Sequence, residues 1–190
     1  DPLRRVLERV EDRRLRLEPL ERGAALCVSP AGESDVSVVL RGPESLGDLE
    51  WNPETLEPDW QLDPESGARW YQVEGNSFTL VSTFIPRLDS VECYYTVWPH
   101  NDGRLPEGLA FSTSVDAGEA FGSASAVEEG CTVAASSDGR WMAAVAADRP
   151  VPESDSPSAP DGLLRMQVRL APHLDVPTTA RFAVYLVEGS

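Results

Sequence analysis

Four aromatic side chains carry the clearest chemical promise in this chain. In the run of residues 91–98, alternation sends Val91, Cys93, Tyr95 and Val97 to one side and Glu92, Tyr94, Thr96 and Trp98 to the other. If the first set faces a core, Tyr94 and Trp98 stand on the outer face with Thr96 between them. Rings with polar tips on a rigid sheet make a platform for sugar rings or for a protein partner. Trp51 and Trp60 form a second pair, set among prolines and the acids Asp48, Glu50, Glu57, Asp59 and Asp63. An indole in a polar loop either plugs back onto its domain or is offered to a ligand. Beside it, the carboxylates would select a cation or accept hydrogen bonds from sugar hydroxyls. The candidate ligand-binding residues are therefore Tyr94, Trp98, Trp51 and Trp60.

Catalytic readings find less to stand on. The chain contains no lysine, which removes the Schiff-base nucleophile, the pyridoxal anchor and the P-loop lysine. It has no G-x-S-x-G elbow, no H-E-x-x-H and no glycine-rich nucleotide loop. Its two histidines, His100 and His173, have no nucleophile nearby in sequence and read as surface residues. A pair of carboxylates for glycoside hydrolysis can always be found among 32 acids, so abundance alone points to no particular pair. No EF-hand spacing occurs. Cys27, Cys93 and Cys131 lack C-x-x-C spacing and read as three free thiols; one disulfide with one thiol left over is the alternative in an extracellular setting. Neither a metal site nor a cofactor is expected.

The formal charge of −16 repels phosphate backbones and anionic membrane surfaces, so nucleic-acid and membrane partners are not expected. It favours cationic partners, calcium or high salt, or simply a well-solvated surface. Arginine without lysine follows most simply from GC-rich codons. The charge is uneven: residues 1–22 hold seven arginines and six acids, while the remainder holds nine arginines and 26 acids. No run of 18 apolar residues is present to span a bilayer. The start at Asp1 reads as an excised domain or processed fragment, and an extracellular or particle-surface location is favoured over the cytoplasm.

The elements that must position these residues divide in two. Residues 1–22 predict a helical connector: Asp1 and Pro2 form a helix start, and Leu3, Val6, Leu7, Val10 and Leu17 fall near one stripe. Pro19 and Gly23 close it. Residues 23–190 predict a β domain, with strand-like runs at 24–29, 35–40, 68–74, 77–85, 90–98, 108–115, 140–147, 163–170 and 181–188. Alternation is clean in Leu164, Met166, Val168 and Leu170, and again in Phe182, Val184 and Leu186, which points to antiparallel pairing. Asn101-Asp102-Gly103 and Ser137-Asp138-Gly139 are turn signals. Residues 41–66 and the proline-rich stretch 148–162 read as loops. The expected fold is mainly β: an antiparallel sandwich or jelly roll after a short N-terminal α-helix.

The stretch from Gly108 to Glu119, with Trp141 downstream, resembles the β-sandwich accessory modules at the ends of some glycoside hydrolases. It covers a minor part of the chain, in strand and turn residues that many sandwiches share, and assigns no family. The expected function is a non-catalytic recognition or attachment module for a glycan or protein surface, with homo-oligomerisation open. A structural domain of a larger assembly, such as a viral capsid, spike or adhesin head, is the first alternative. A carboxylate-dependent hydrolase is the second.

Overall fold

A computed structural model describes residues 14–32, 35–46, 55–75, 78–100, 109–128, 130–148, 161–170 and 177–189. Thirteen strands are described. In chain order they are β1 (Arg16–Pro19), β2 (Ala25–Ser29), β3 (Val38–Leu46), β4 (Gln61–Leu62), β5 (Arg69–Glu74), β6 (Phe78–Pro86) and β7 (Ser90–Pro99). Then come β8 (Ala110–Asp116), β9 (Ser125–Glu128), β10 (Cys131–Ala135), β11 (Trp141–Ala147), β12 (Leu163–Arg169) and β13 (Thr178–Glu188). They pair antiparallel in two sheets, ordered β1-β2-β3-β8-β12 and β4-β5-β6-β7-β13-β11-β10-β9. Inward side chains of both sheets share one core, including Leu26, Leu40, Phe111 and Leu164 from the smaller and Leu80, Tyr95, Phe182 and Val184 from the larger. Among the described residues there is no helix, and so none long and apolar enough to cross a membrane.

Period-two patterning explains why these segments become strands with one dry face. In β6 the burial alternates without a break from Phe78 to Pro86, and in β7 Val91, Cys93, Tyr95 and Val97 are all buried. The expected turn at Ser137-Asp138-Gly139 joins β10 to β11. There Gly139 takes φ +70°, and Asp138 accepts hydrogen bonds from the Ser136 hydroxyl and the Arg140 N–H. Gly42 is required for a different reason. Its φ is +142°, and a Cβ there would sit 2.9 Å from the Tyr95 hydroxyl and 3.1 Å from the Ser112 carbonyl oxygen.

Some expectations need correction. Leu17 falls on the expected helical stripe, yet residues 16–19 form β1, paired to β2 with Leu17 opposite Val28. Packing Leu15 and Leu17 into the core outweighs the local helical spacing of that stripe. The remainder of the expected helix, residues 1–13, lies outside the described residues, as does the Asn101-Asp102-Gly103 turn. The stretch 41–66 is not all loop: β3 continues to Leu46 and β4 occupies Gln61–Leu62. Nor were β9 and β10 expected, since Ser125–Glu128 and Cys131–Ala135 are short and weakly patterned. Most of the proline-rich stretch, 149–160, is outside the described residues.

Candidate functional site

The outer face of the larger sheet is built by β5, β6, β7 and β13. Once Tyr71, Leu80, Tyr95 and Phe182 turn inward, their neighbours must turn outward, and strand register aligns those neighbours in rows. One row runs Trp70, Thr83, Tyr94, Arg181. The next runs Gln72, Val81, Thr96, Thr179. The third runs Glu74, Thr79, Trp98. Trp98 is 51% exposed and Trp70 40%, while Tyr94 is half-buried. Three aromatic side chains therefore project from one sheet face, with hydroxyl and amide side chains between them.

The Tyr94 ring is held by specific partners. The Arg181 guanidinium carbon lies 5.6 Å from the Tyr94 ring centroid, a cation–π contact, and Arg181 reaches Asp148 at 3.7 Å. The Tyr94 hydroxyl donates to Glu92 Oε2 at 3.1 Å, and Arg87 donates to the same oxygen at 3.1 Å. Partial burial, then the hydrogen bond to Glu92 and its charge, push the Tyr94 phenol above its ordinary value. The Arg87 hydrogen bond holds Glu92 below the usual carboxylate range. In the middle row, the Thr96 and Thr179 hydroxyls meet at 2.9 Å.

The third row forms a compact polar cluster beside Trp98. Thr79 donates to Glu74 Oε2 at 2.7 Å and Gln72 Nε2 donates to Glu74 Oε1 at 2.7 Å. These two bonds, the threonine first, hold the Glu74 carboxyl below its ordinary value. His100 Nε2 lies 3.0 Å from Thr79 Oγ1 and 3.4 Å from Glu74 Oε2. A threonine hydroxyl has one proton, and here it goes to the carboxylate, so the histidine nitrogen must be the donor to Thr79. That orientation is the reverse of a nucleophile handing its proton to a free base nitrogen. Among the described residues, no group of three or more His, Cys, Asp or Glu side chains could hold a metal. Between the rows lies a shallow groove of about 460 Å³, lined by Gln72, Thr79, Val81, Thr96 and Trp98. A second notch of about 580 Å³ opens at the corner where Thr178, Thr179 and Arg181 of β13 approach Val168, Arg169 and Leu170.

Tyr94 and Trp98 thus stand together on one face. Trp60 does not join them. Its ring meets Tyr71 edge-on at 4.7 Å between centroids and tilts over Phe84 at 5.7 Å, so it plugs the core. The apolar gain from covering two core rings is large enough that its buried Nε1–H goes without a hydrogen-bond partner among the described residues. Trp51 lies outside the described residues. Sequence reasoning missed Trp70, although alternation around the inward Tyr71 and Val73 would have turned Trp70, Gln72 and Glu74 outward. It also missed Arg181, whose place beside Tyr94 depends on a partner strand far along the chain.

None of the three cysteines forms a disulfide: Cys93 is buried in the core and Cys27 and Cys131 are half-buried. Burial pushes the Cys93 thiol well up, away from thiolate reactivity. No family model matches this chain, and no curated protein or solved structure matches it significantly.

Proposed function

We propose that this domain is a β-sandwich recognition module, non-catalytic, whose outer large-sheet face binds a glycan or a protein surface. The supporting observation is the grouping of Trp70, Tyr94 and Trp98 on one face, with Gln72, Thr79, Thr83, Thr96 and Thr179 between them. Rings supply broad contact at low conformational cost, and the hydroxyls and amide supply directional polar contacts. The face is shallow, which suits an extended or flat partner better than a small enclosed substrate. Its strands are rigid, with nine paired positions between β6 and β7 alone, so the rings are preorganised before binding. The test is a glycan array and a pull-down with wild type and with the triple variant Trp70→Ala, Tyr94→Ala, Trp98→Ala. Wild type is expected to retain a ligand that the triple variant loses while its unfolding transition persists. A wild type that retains nothing at high protein concentration sinks the reading.

A second reading, a structural domain of a capsid, spike or adhesin assembly, has its own support. The other half of the same face carries Ala183, Tyr185 and Val187 of β13, Met142, Ala144 and Ala146 of β11, and Val133 of β10, with no charged side chain among them. On a chain of charge −16, such an uncharged strip is where copies or neighbours can approach with least repulsion. Light scattering across a concentration series decides it: association weakened by Met142→Glu supports it, and a monomer at every concentration removes it.

A further inference from the structure

The five side chains lining the groove, Gln72, Thr79, Val81, Thr96 and Trp98, carry no formal charge. The nearest carboxylate, Glu74, already accepts at both oxygens, from Gln72 at Oε1 and from Thr79 at Oε2. Those two bonds hold the carboxylate at the edge of the groove, outside the five side chains that line it. No guanidinium lines the groove. Arg181 lies in the Tyr94 row, occupied by the Tyr94 ring and Asp148. An anionic ligand would find no cationic side chain among the five lining residues and would meet the repulsion of a −16 chain on approach.

Hydrogen-bond inventory narrows the class further. The Thr79 proton is committed to Glu74, one Gln72 N–H is committed to Glu74, and one hydroxyl proton is shared between Thr96 and Thr179. What remains open to a ligand is mixed: the Gln72 carbonyl oxygen and hydroxyl lone pairs accept, while the second Gln72 N–H, the other hydroxyl proton of the Thr96–Thr179 pair and the Trp98 indole N–H donate. A ligand matched to such a surface both donates and accepts. Sulfate, phosphate and carboxylate groups only accept, whereas sugar hydroxyls donate and accept. Beside these acceptors the half-exposed Trp98 indole offers a flat apolar face for the C–H side of a sugar ring. The groove volume of about 460 Å³ lies within the range of ligand sites and has room for a short oligosaccharide segment.

We propose that the groove between Gln72 and Trp98 holds a segment of a neutral, hydroxyl-rich glycan, one ring stacked on Trp98 and its hydroxyls donating to the Gln72 carbonyl and the threonine oxygens. The assignment rests on the recognition reading above and names its ligand class. Gel retardation tests it, with neutral polysaccharides in one set of lanes and uronate-bearing or sulfated polysaccharides in another. The proteins run are wild type, Trp98→Ala, Trp98→Phe and Gln72→Ala, with thermal unfolding as the folding control. At least one neutral polysaccharide should retard wild type, and added salt should leave that retardation unchanged. Trp98→Ala should weaken binding about tenfold, and Trp98→Phe should retain most of it. Retardation by acidic chains alone overturns the neutral class but leaves the recognition module standing. Capture of a purified protein partner through Trp98, without any glycan binding, does the same. Neutral binding that survives both Trp98→Ala and Gln72→Ala places the ligand elsewhere and overturns the groove. Silence in every lane, with no partner captured, removes this inference and the recognition reading together.

Discussion

Trp70 and Tyr71 are neighbours in the chain, as are Tyr94 and Tyr95, yet each pair is split between two chemical worlds. Tyr71 and Tyr95 are wholly buried in a layer of rings that runs from Trp60 through Tyr71, Phe84 and Tyr95 to Phe111 and Phe182. Successive centroids in that layer are 4.7 to 6.3 Å apart. Trp70 and Tyr94 face the other way, in a row with Thr83 and Arg181. The two inner tyrosines find their polar partners inside the core: the Tyr71 hydroxyl donates to the Gly42 carbonyl at 3.1 Å, and the Tyr95 hydroxyl meets Thr113 Oγ1 at 2.7 Å. Burial pushes both phenols up. The outer layer leaves its two tryptophans 40% and 51% exposed, Trp70 and Trp98 respectively. One aromatic residue type thus does two jobs, and strand parity assigns them. Stability belongs to the inner rings, and recognition is proposed for the outer ones.

Substitutions can break that division. The largest effect is expected at Phe84, which contacts Trp60, Tyr71 and Tyr95 and is 1% exposed. Phe84→Ala should cost about 3–5 kcal/mol in urea unfolding; a cost below about 1 kcal/mol would show that the inner layer does not carry the fold. Tyr95→Phe removes the hydroxyl that meets Thr113 and leaves a buried partner unsatisfied, a cost of roughly 1–3 kcal/mol by the same measurement. Trp70→Ala and Trp98→Ala should each change stability by no more than about 0.5 kcal/mol, as exposed positions do. A large loss at either would make the outer rings structural and collapse the comparison.

The smallest effect concerns pH. Hydrogen bonds from Thr79 and Gln72 lower the folded-state pKa of Glu74 below its ordinary value. Stability from such a group is present above the ordinary carboxylate pKa and is lost as pH falls through the lowered folded value. The thermal midpoint of Glu74→Gln should therefore lie slightly below wild type at neutral pH and converge on it in acid. A gap that stays constant with pH would show that the carboxylate contributes nothing as an anion.

Legibility in the sequence followed the locality of each cause. Alternation in 91–98 correctly turned Val91, Cys93, Tyr95 and Val97 inward, because a strand's facing depends only on parity. The same rule, applied to 68–74, would have found Trp70. Trp60 was not decidable locally, since its place depends on Tyr71 and Phe84 being there to cover. Leu17 shows the limit of periodicity: a helical stripe in sequence gave way to a strand once β2 was available as a partner.

Composition and parity alone determined that this chain makes antiparallel strands with one apolar side, and that Tyr94 and Trp98 share a face. Only the tertiary structure decided which other residues that face contains. The chain leaves the smaller sheet after β3, builds β4 to β7, and returns twice before its last strand, β13, inserts between β7 and β11. That insertion brings Thr179 and Arg181 beside Thr96 and Tyr94. Register between strands so distant in sequence is set by the packing of their inner faces, which no single segment encodes.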